Sequence, residues 1–321
     1  MTTNVLRTAD GWWVVPRGES AAVRVGTDAS TTAQFLAARD AVRDAVRQAA
    51  TGSGERVPLA ELSPLSPVTT PCRVVAQMVN YRSHARDSGY TGEVPPTFFR
   101  KASGSVSGAR DAIVRPAHVR FLDYEVELGL VMGAPLRVGD VVEEGELSRY
   151  VAGFVVANDV SARDVQLTRT QFYESKSYPG FTPTGPFLAL LEPEDFAHFD
   201  DLRLRLGVNG EVRQDRTVAD MIVRPARALS LLARFQALDP GDLLLTGTPG
   251  GTALKAPAKA VEMLGALLPA RVKWKTFFRN QARNDAYLKP GDVVTASIAT
   301  PDGRIDLGEQ RNVVAAAEGA A

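Results

Sequence analysis

Four stretches of this sequence bring together residue types that can do chemistry. In LDYEVELGLV, residues 122–131, Asp123, Glu125 and Glu127 stand at alternate positions of an apolar run. Residues two apart in a strand share a face, with side chains about 6–7 Å apart. Two glutamates so placed can converge on one cation at about 2.0–2.5 Å from each oxygen; the same alternation also suits an edge strand with one face in water. In FVVANDVSARDVQ, residues 154–166, a buried-type strand ends in Asn158-Asp159 and continues to Arg163, Asp164 and Gln166. An acid at the end of an apolar strand is costly unless paired or metal-bound; capping of a short helix near Ser161 is the plainer alternative. Lys176 lies in YESKSYPGFTPTGPFLALL and is one of only seven lysines beside thirty arginines. It could be a fixed cation facing an oxyanion, or a solvated loop lysine. In NYRSHARDSGY, residues 80–90, His84 and Asp87 are three apart. One helical turn would bring them together as an imidazole oriented by a carboxylate, a usable general base.

A fifth stretch, LLLTGTPGG, clusters glycines after an apolar run but has neither a Gly-Lys-Ser/Thr ending nor Gly-x-Gly-x-x-Gly, which excludes a phosphate loop. It leaves a tight turn that offers backbone N–H groups and Thr248 to a ligand. The chain also lacks a Gly-x-Ser-x-Gly elbow and a zinc-type His/Cys cluster.

The elements that must hold these residues are mostly strands. Residues 1–70 read as a small α/β region: short strands in GWWVVPRG and AAVRVG, an amphipathic helix with Phe35, Ala38, Val42, Ala45 and Ala49 on one stripe, and a proline-rich linker, VPLAELSPLSPVTTP. Residues 71–321 read as one larger domain. In it LRLRLGVNGEVRQD alternates strictly around Asn209-Gly210, a strong hairpin signal. VRPARALSLLARFQAL is one of few helices. Residues 253–287 break the β texture as two helices meeting at Pro269, the second carrying Arg271, Lys273, Lys275, Arg279 and Arg283 around Trp274, Phe277 and Phe278. This insertion is expected to pack its aromatics on the main body, as a lid or a dimer arm.

Bulk properties narrow the classes further. The 321 residues carry 37 basic and 37 acidic side chains, so nothing favours electrostatic capture of nucleic acid or an anionic membrane. One cysteine, Cys72, excludes an internal disulfide framework. The N-terminus shows no basic start followed by an apolar stretch, and no apolar segment reaches membrane-spanning length, so a cytoplasmic protein is expected.

Taken in order, NYxxH, DYEVELG, GFVVANDVSARDVQ, KSYPGFTPTGPFL, VNGEVRQDRTVADMI and PGDLLLTGTPGG resemble the fumarylacetoacetate hydrolase family over roughly residues 72–252 and 288–315. The resemblance implies an α+β, mostly β fold, a mixed β-roll or barrel-like sandwich, usually dimeric, that binds Mg²⁺ or Mn²⁺. It makes Glu125, Glu127 and Asp159 the metal ligands and His84 with Asp87 the base. Lys176 and Gln166 become catalytic, and Tyr81, Arg163 and Thr248 contact substrate. Many members place Glu where Asp87 stands, and larger eukaryotic members an acidic ligand near Asn80. The implied activity is metal-dependent hydrolysis of a C–C bond in acylpyruvate-like β-diketo acids. The alternatives are a 2-oxo-acid decarboxylase, or an isomerase, tautomerase or hydratase of 2-oxo acids in aromatic catabolism.

Overall fold

A computed structural model of the chain describes residues 2–90, 92–169, 172–256 and 270–317. Its architecture follows from which strands are apolar on both faces and which on one. The Val126–Met132 and Val151–Asn158 strands pair antiparallel, with Leu128 opposite Val156 and Leu130 opposite Phe154, and nearly every residue in them is buried. Such strands need cover on two sides. They lie in the middle of a twelve-stranded sheet. Leu243–Leu245 and Val74–Met78 extend it on one flank as a parallel pair, followed by the edge strand Thr97–Lys101. On the other flank Leu188–Leu190 joins it to Thr3–Thr8, Gly11–Val15, Ala21–Arg24 and Arg56–Pro58.

One face of this sheet packs on a five-stranded sheet built from Glu211–Thr217, Arg203–Val208, Val293–Ala299, Asp306–Ala316 and Ile113–Arg115. Leu128, Leu130, Phe154 and Val156 meet Leu204, Leu206, Val294 and Ile298 there in one core. The opposite face buries Val131, Val155 and Leu243 with Phe35, Val42 and Ala45. The sheets do not close, and the fold is the mostly β sandwich expected.

Local signals behaved as their chemistry dictates. Asn209 and Gly210 both take positive φ, at 52° and 83°, as a two-residue hairpin requires. The helix expected near residue 31 starts on a capping box from Thr31 and Gln34, but it breaks at Ala38 into Thr32–Ala37 and Arg39–Thr51. The proline-rich stretch packs instead of hanging free: Val68 is buried and Thr69 exchanges hydrogen bonds with Thr32. Of the insertion, the second helix is present as Ala270–Gln281; the first, with Pro269, lies outside the described residues. Phe278 stacks on Phe121 at 5.8 Å between centroids, and Tyr287 tilts against the same ring at 5.1 Å. Among the described residues no helix is long and apolar enough to cross a membrane.

Candidate metal centre and active site

The site forms where the two central strands end. Asp159 N–H donates to the Glu125 carbonyl at 2.8 Å, and Glu125 N–H to Asn158 Oδ1 at 2.9 Å. This crossing sets Glu125 and Asp159 side by side, and Glu127 follows two residues along the same strand. One carboxylate oxygen from each of Glu125, Glu127 and Asp159 lies within 4.8 Å of the others, and all three residues are buried. A polar face in water is therefore ruled out for this strand. Three hard oxygen donors, with no sulfur or imidazole among them, fit a hard dication.

Each carboxylate is held by a different part of the fold. Glu127 Oε2 accepts Gly247 N–H at 2.7 Å. Gly247 takes φ +86°, and a Cβ there would come within 2.7 Å of Asn80 Cβ, so the turn needs glycine to approach so closely. Glu125 is gripped by Arg163 Nη2 and by Lys176 Nζ, the latter at 2.5 Å. Asp159 accepts from Lys176 at 2.6 Å and from a second lysine, Lys101. Arg163 is fully engaged: Nε reaches Asp123 at 2.8 Å and Nη1 reaches Gln166 Oε1 at 2.8 Å.

Burial and neighbours pull these groups in different directions. Burial opposes ionisation of Glu125, but Arg163 and Lys176 outweigh it and hold the carboxyl far below its usual range. Burial, reinforced by Asp159 and Glu125, pushes Glu127 well above that range. Lys176 is raised: burial disfavours its charge, but Asp159 and Glu125 favour it more. Burial lowers His84, only partly offset by Glu125, so its imidazole is neutral at pH 7. Glu125 raises it, while Arg163 and Lys176 lower it further.

The expected dyad takes another form. Asp87 Oδ2 accepts Gly251 N–H at 2.9 Å, while His84 Nδ1 is buried without a hydrogen-bond partner among the described residues. The helix Arg82–Asp87 thus uses its carboxylate to hold the glycine turn, and Ser83 Oγ holds the neighbouring Gly250 N–H at 2.9 Å. Thr248 is committed similarly. Its hydroxyl donates to the Val126 carbonyl at 2.9 Å and accepts from Gln214 at 2.8 Å, so both contacts hold the loop in place. Tyr81 is fully buried next to Glu127, and burial raises its phenol. Asn80 bonds the backbone of Thr246 and Val223 and serves as a latch.

Sequence reasoning missed three contributors. Lys101 ends the apolar TFFRK strand, and the scarcity of lysine that singled out Lys176 would have singled it out too. Gln214 bridges Val126 N–H, Thr248 and the Pro249 carbonyl from the second sheet, a role no local pattern announces. Asp123, left without a role, binds Arg163 and the N–H groups of Ala253 and Leu254, which ties the start of the insertion to the site. The far side of the insertion returns to the same place, where Asn284 Nδ2 donates to the Ala253 carbonyl at 2.9 Å.

Comparison with known proteins agrees with this geometry. The model of the fumarylacetoacetate (FAA) hydrolase C-terminal family matches residues 73–315. The chain belongs to the fumarylacetoacetate hydrolase family. That makes it a member of an enzyme family. It is 33% identical over 225 residues, 70% of each chain, to the mitochondrial oxaloacetate tautomerase Fahd2a of Rattus norvegicus. It is 38% identical over 198 residues, 61% of this chain and 68% of the other, to 2,4-didehydro-3-deoxy-L-rhamnonate hydrolase of a Sphingomonas strain. Among solved structures, fumarylacetoacetate hydrolase of Exiguobacterium antarcticum superposes with a TM-score of 0.70 at 26% identity, over 99% of this chain and 100% of that one. The family resemblance read from the motifs is thereby confirmed, and the insertion lies inside the matched span.

Proposed function

We propose that this family member is a divalent-metal-dependent enzyme acting on small 2-oxo acids through their enolates, with Mg²⁺ or Mn²⁺ held by Glu125, Glu127 and Asp159. The observation that carries the reading is the convergence of three buried carboxylate oxygens within 4.8 Å beneath Lys176. A divalent ion in that position would supply Lewis-acid polarisation of a 2-oxo acid's carboxylate and keto oxygens. The charges around it favour such a substrate. Buried Asp123, Glu125, Glu127 and Asp159 exceed buried Lys101, Arg163 and Lys176 by one, so a dication leaves the site one unit positive, complementary to a carboxylate. Lys176 stabilises negative charge developing on the substrate oxygen. Arg163 and Gln166 fix the orientation of Glu125 and of the adjoining wall. Neutral His84 takes or returns a proton at the carbon next to the keto group.

Within that frame we favour keto–enol proton transfer, the tautomerase or isomerase class. Activation of water by His84 calls for a partner that orients the imidazole, and His84 Nδ1 has none among the described residues. C–C hydrolysis of acylpyruvate-like acids is the second reading, favoured by the 38% identity to a hydrolase acting on a 2,4-didehydro-3-deoxy acid. One panel separates them. Metal-reconstituted protein is given oxaloacetate and a set of acylpyruvates, with enol absorbance and released acid followed together. Accelerated enol–keto exchange without a new acid supports tautomerisation, and a new carboxylic acid supports hydrolysis. Absence of both, with and without Mg²⁺ or Mn²⁺, rejects the enolate reading.

A further inference from the structure

Asp159 stands between two ammonium groups that do different things. Lys176 Nζ bonds Asp159 Oδ2 at 2.6 Å and Glu125 Oε2 at 2.5 Å, so Oδ2 is the oxygen that shares a cation with Glu125. Lys101 Nζ takes the opposite oxygen, Oδ1, and places a second hydrogen bond on the Phe181 carbonyl at 2.8 Å. That carbonyl also accepts Val160 N–H at 3.1 Å. Lys101 therefore ties the Asp159 side chain to the same anchor that fixes the backbone one residue later. It comes from the edge strand Thr97–Lys101, a separate element from those that carry the carboxylates, and its side chain is fully buried. An ammonium placed there costs several kcal/mol of desolvation unless its partners are well placed. Here both partners are close, and they belong to two different parts of the site: a carboxylate oxygen of Asp159 and the carbonyl of Phe181.

We propose that Lys101 is a positioning residue of the metal centre: by holding Oδ1 it makes Asp159 a one-oxygen ligand, with Oδ2 turned to the ion. This rests on the metal reading above. A carboxylate free to rotate can close on a cation with both oxygens and take an extra coordination position. Locking it at one oxygen keeps positions open for the two oxygens of a 2-oxo acid, as a small octahedral dication requires. The role is the outer-shell orientation of a ligand, extended here to an ammonium donor.

The test is Lys101→Met, which keeps length and apolar volume but removes the donor, with Lys101→Gln as a second variant that keeps one donor should the first not fold. Chelator-stripped proteins are titrated with Mn²⁺ by calorimetry, and thermal unfolding is followed without metal. Mn²⁺ affinity should fall about 10–100-fold in Lys101→Met and less in Lys101→Gln. The Mn²⁺ concentration for half-activation should rise by the same factor. A lower unfolding temperature with unchanged Mn²⁺ affinity would mean a merely structural lysine and overturns the proposal. Wild-type protein that takes up no Mn²⁺ would instead sink the metal reading on which it stands.

Discussion

Two arginine–carboxylate clusters in this molecule use the same chemistry and meet opposite fates. On the Arg203–Val208/Glu211–Thr217 hairpin, Asp215 faces Arg203 and Arg205, whose side chains are 49% and 59% exposed. At the site, Arg163 faces Asp123 and Glu125 with its side chain 5% exposed. Water screens the first cluster and supplies an alternative partner to every group in it. The second has no such alternative, so each charge depends on its neighbour. Burial, not the identity of the pair, separates an ordinary surface ion pair from a group in which every charge needs a partner.

Experiments can strain that contrast in order of expected effect. The double substitution Glu125→Ala with Glu127→Ala should lower kcat/KM by about 10³-fold or more, the scale of losing several kcal/mol of metal assistance. Calorimetric loss of Mn²⁺ binding in a protein that keeps its circular dichroism spectrum would confirm the cause, and full activity would refute the site. Treatment of the wild type with chelator should abolish activity, and Mg²⁺ or Mn²⁺ should restore it; activity indifferent to chelator breaks the reading. Arg163→Met removes the guanidinium that two buried carboxylates share and should destabilise the fold by about 3–5 kcal/mol in urea titrations. Asp215→Ala should cost less than about 1 kcal/mol, and that difference should vanish in concentrated salt. Equal costs for these two variants would mean that burial is not what separates the clusters.

Acid offers the smallest and sharpest signature. The hydrogen bond from Arg203, helped by Arg205, holds the Asp215 carboxyl below its usual range. A depressed carboxylate adds stability that is present above its unfolded value and lost as pH falls through its folded value. The gap between wild type and Asp215→Ala should therefore close below about pH 4. A gap that persists at lower pH would assign the effect to packing of the hairpin.

Much of the candidate site was legible because its residues sit in short, periodic stretches. Glu125 and Glu127 announce a shared face by alternation, and Asp159 by ending an apolar strand. The Asn209-Gly210 turn was equally local. What escaped the reading were contacts between stretches far apart in the chain. Asp87 and His84 have the right spacing for a dyad, yet Gly251, 164 residues away, takes the carboxylate. Thr248 reads as a loop hydroxyl, and nothing near it in the chain announces its bonds to Gln214 and Val126. Lys101 shows nothing in its own neighbourhood to link it to Asp159, 58 residues on.

The sequence by itself determined which side chains could bind a hard cation and which strands had to be covered on both faces, because alternation and apolar runs are properties of neighbours along the chain. Only the tertiary structure decided how the charges are apportioned: which oxygen each cation holds, and which carboxylate is raised and which lowered. Those outcomes depend on distance and on the exclusion of water, and neither exists until separate strands are packed together.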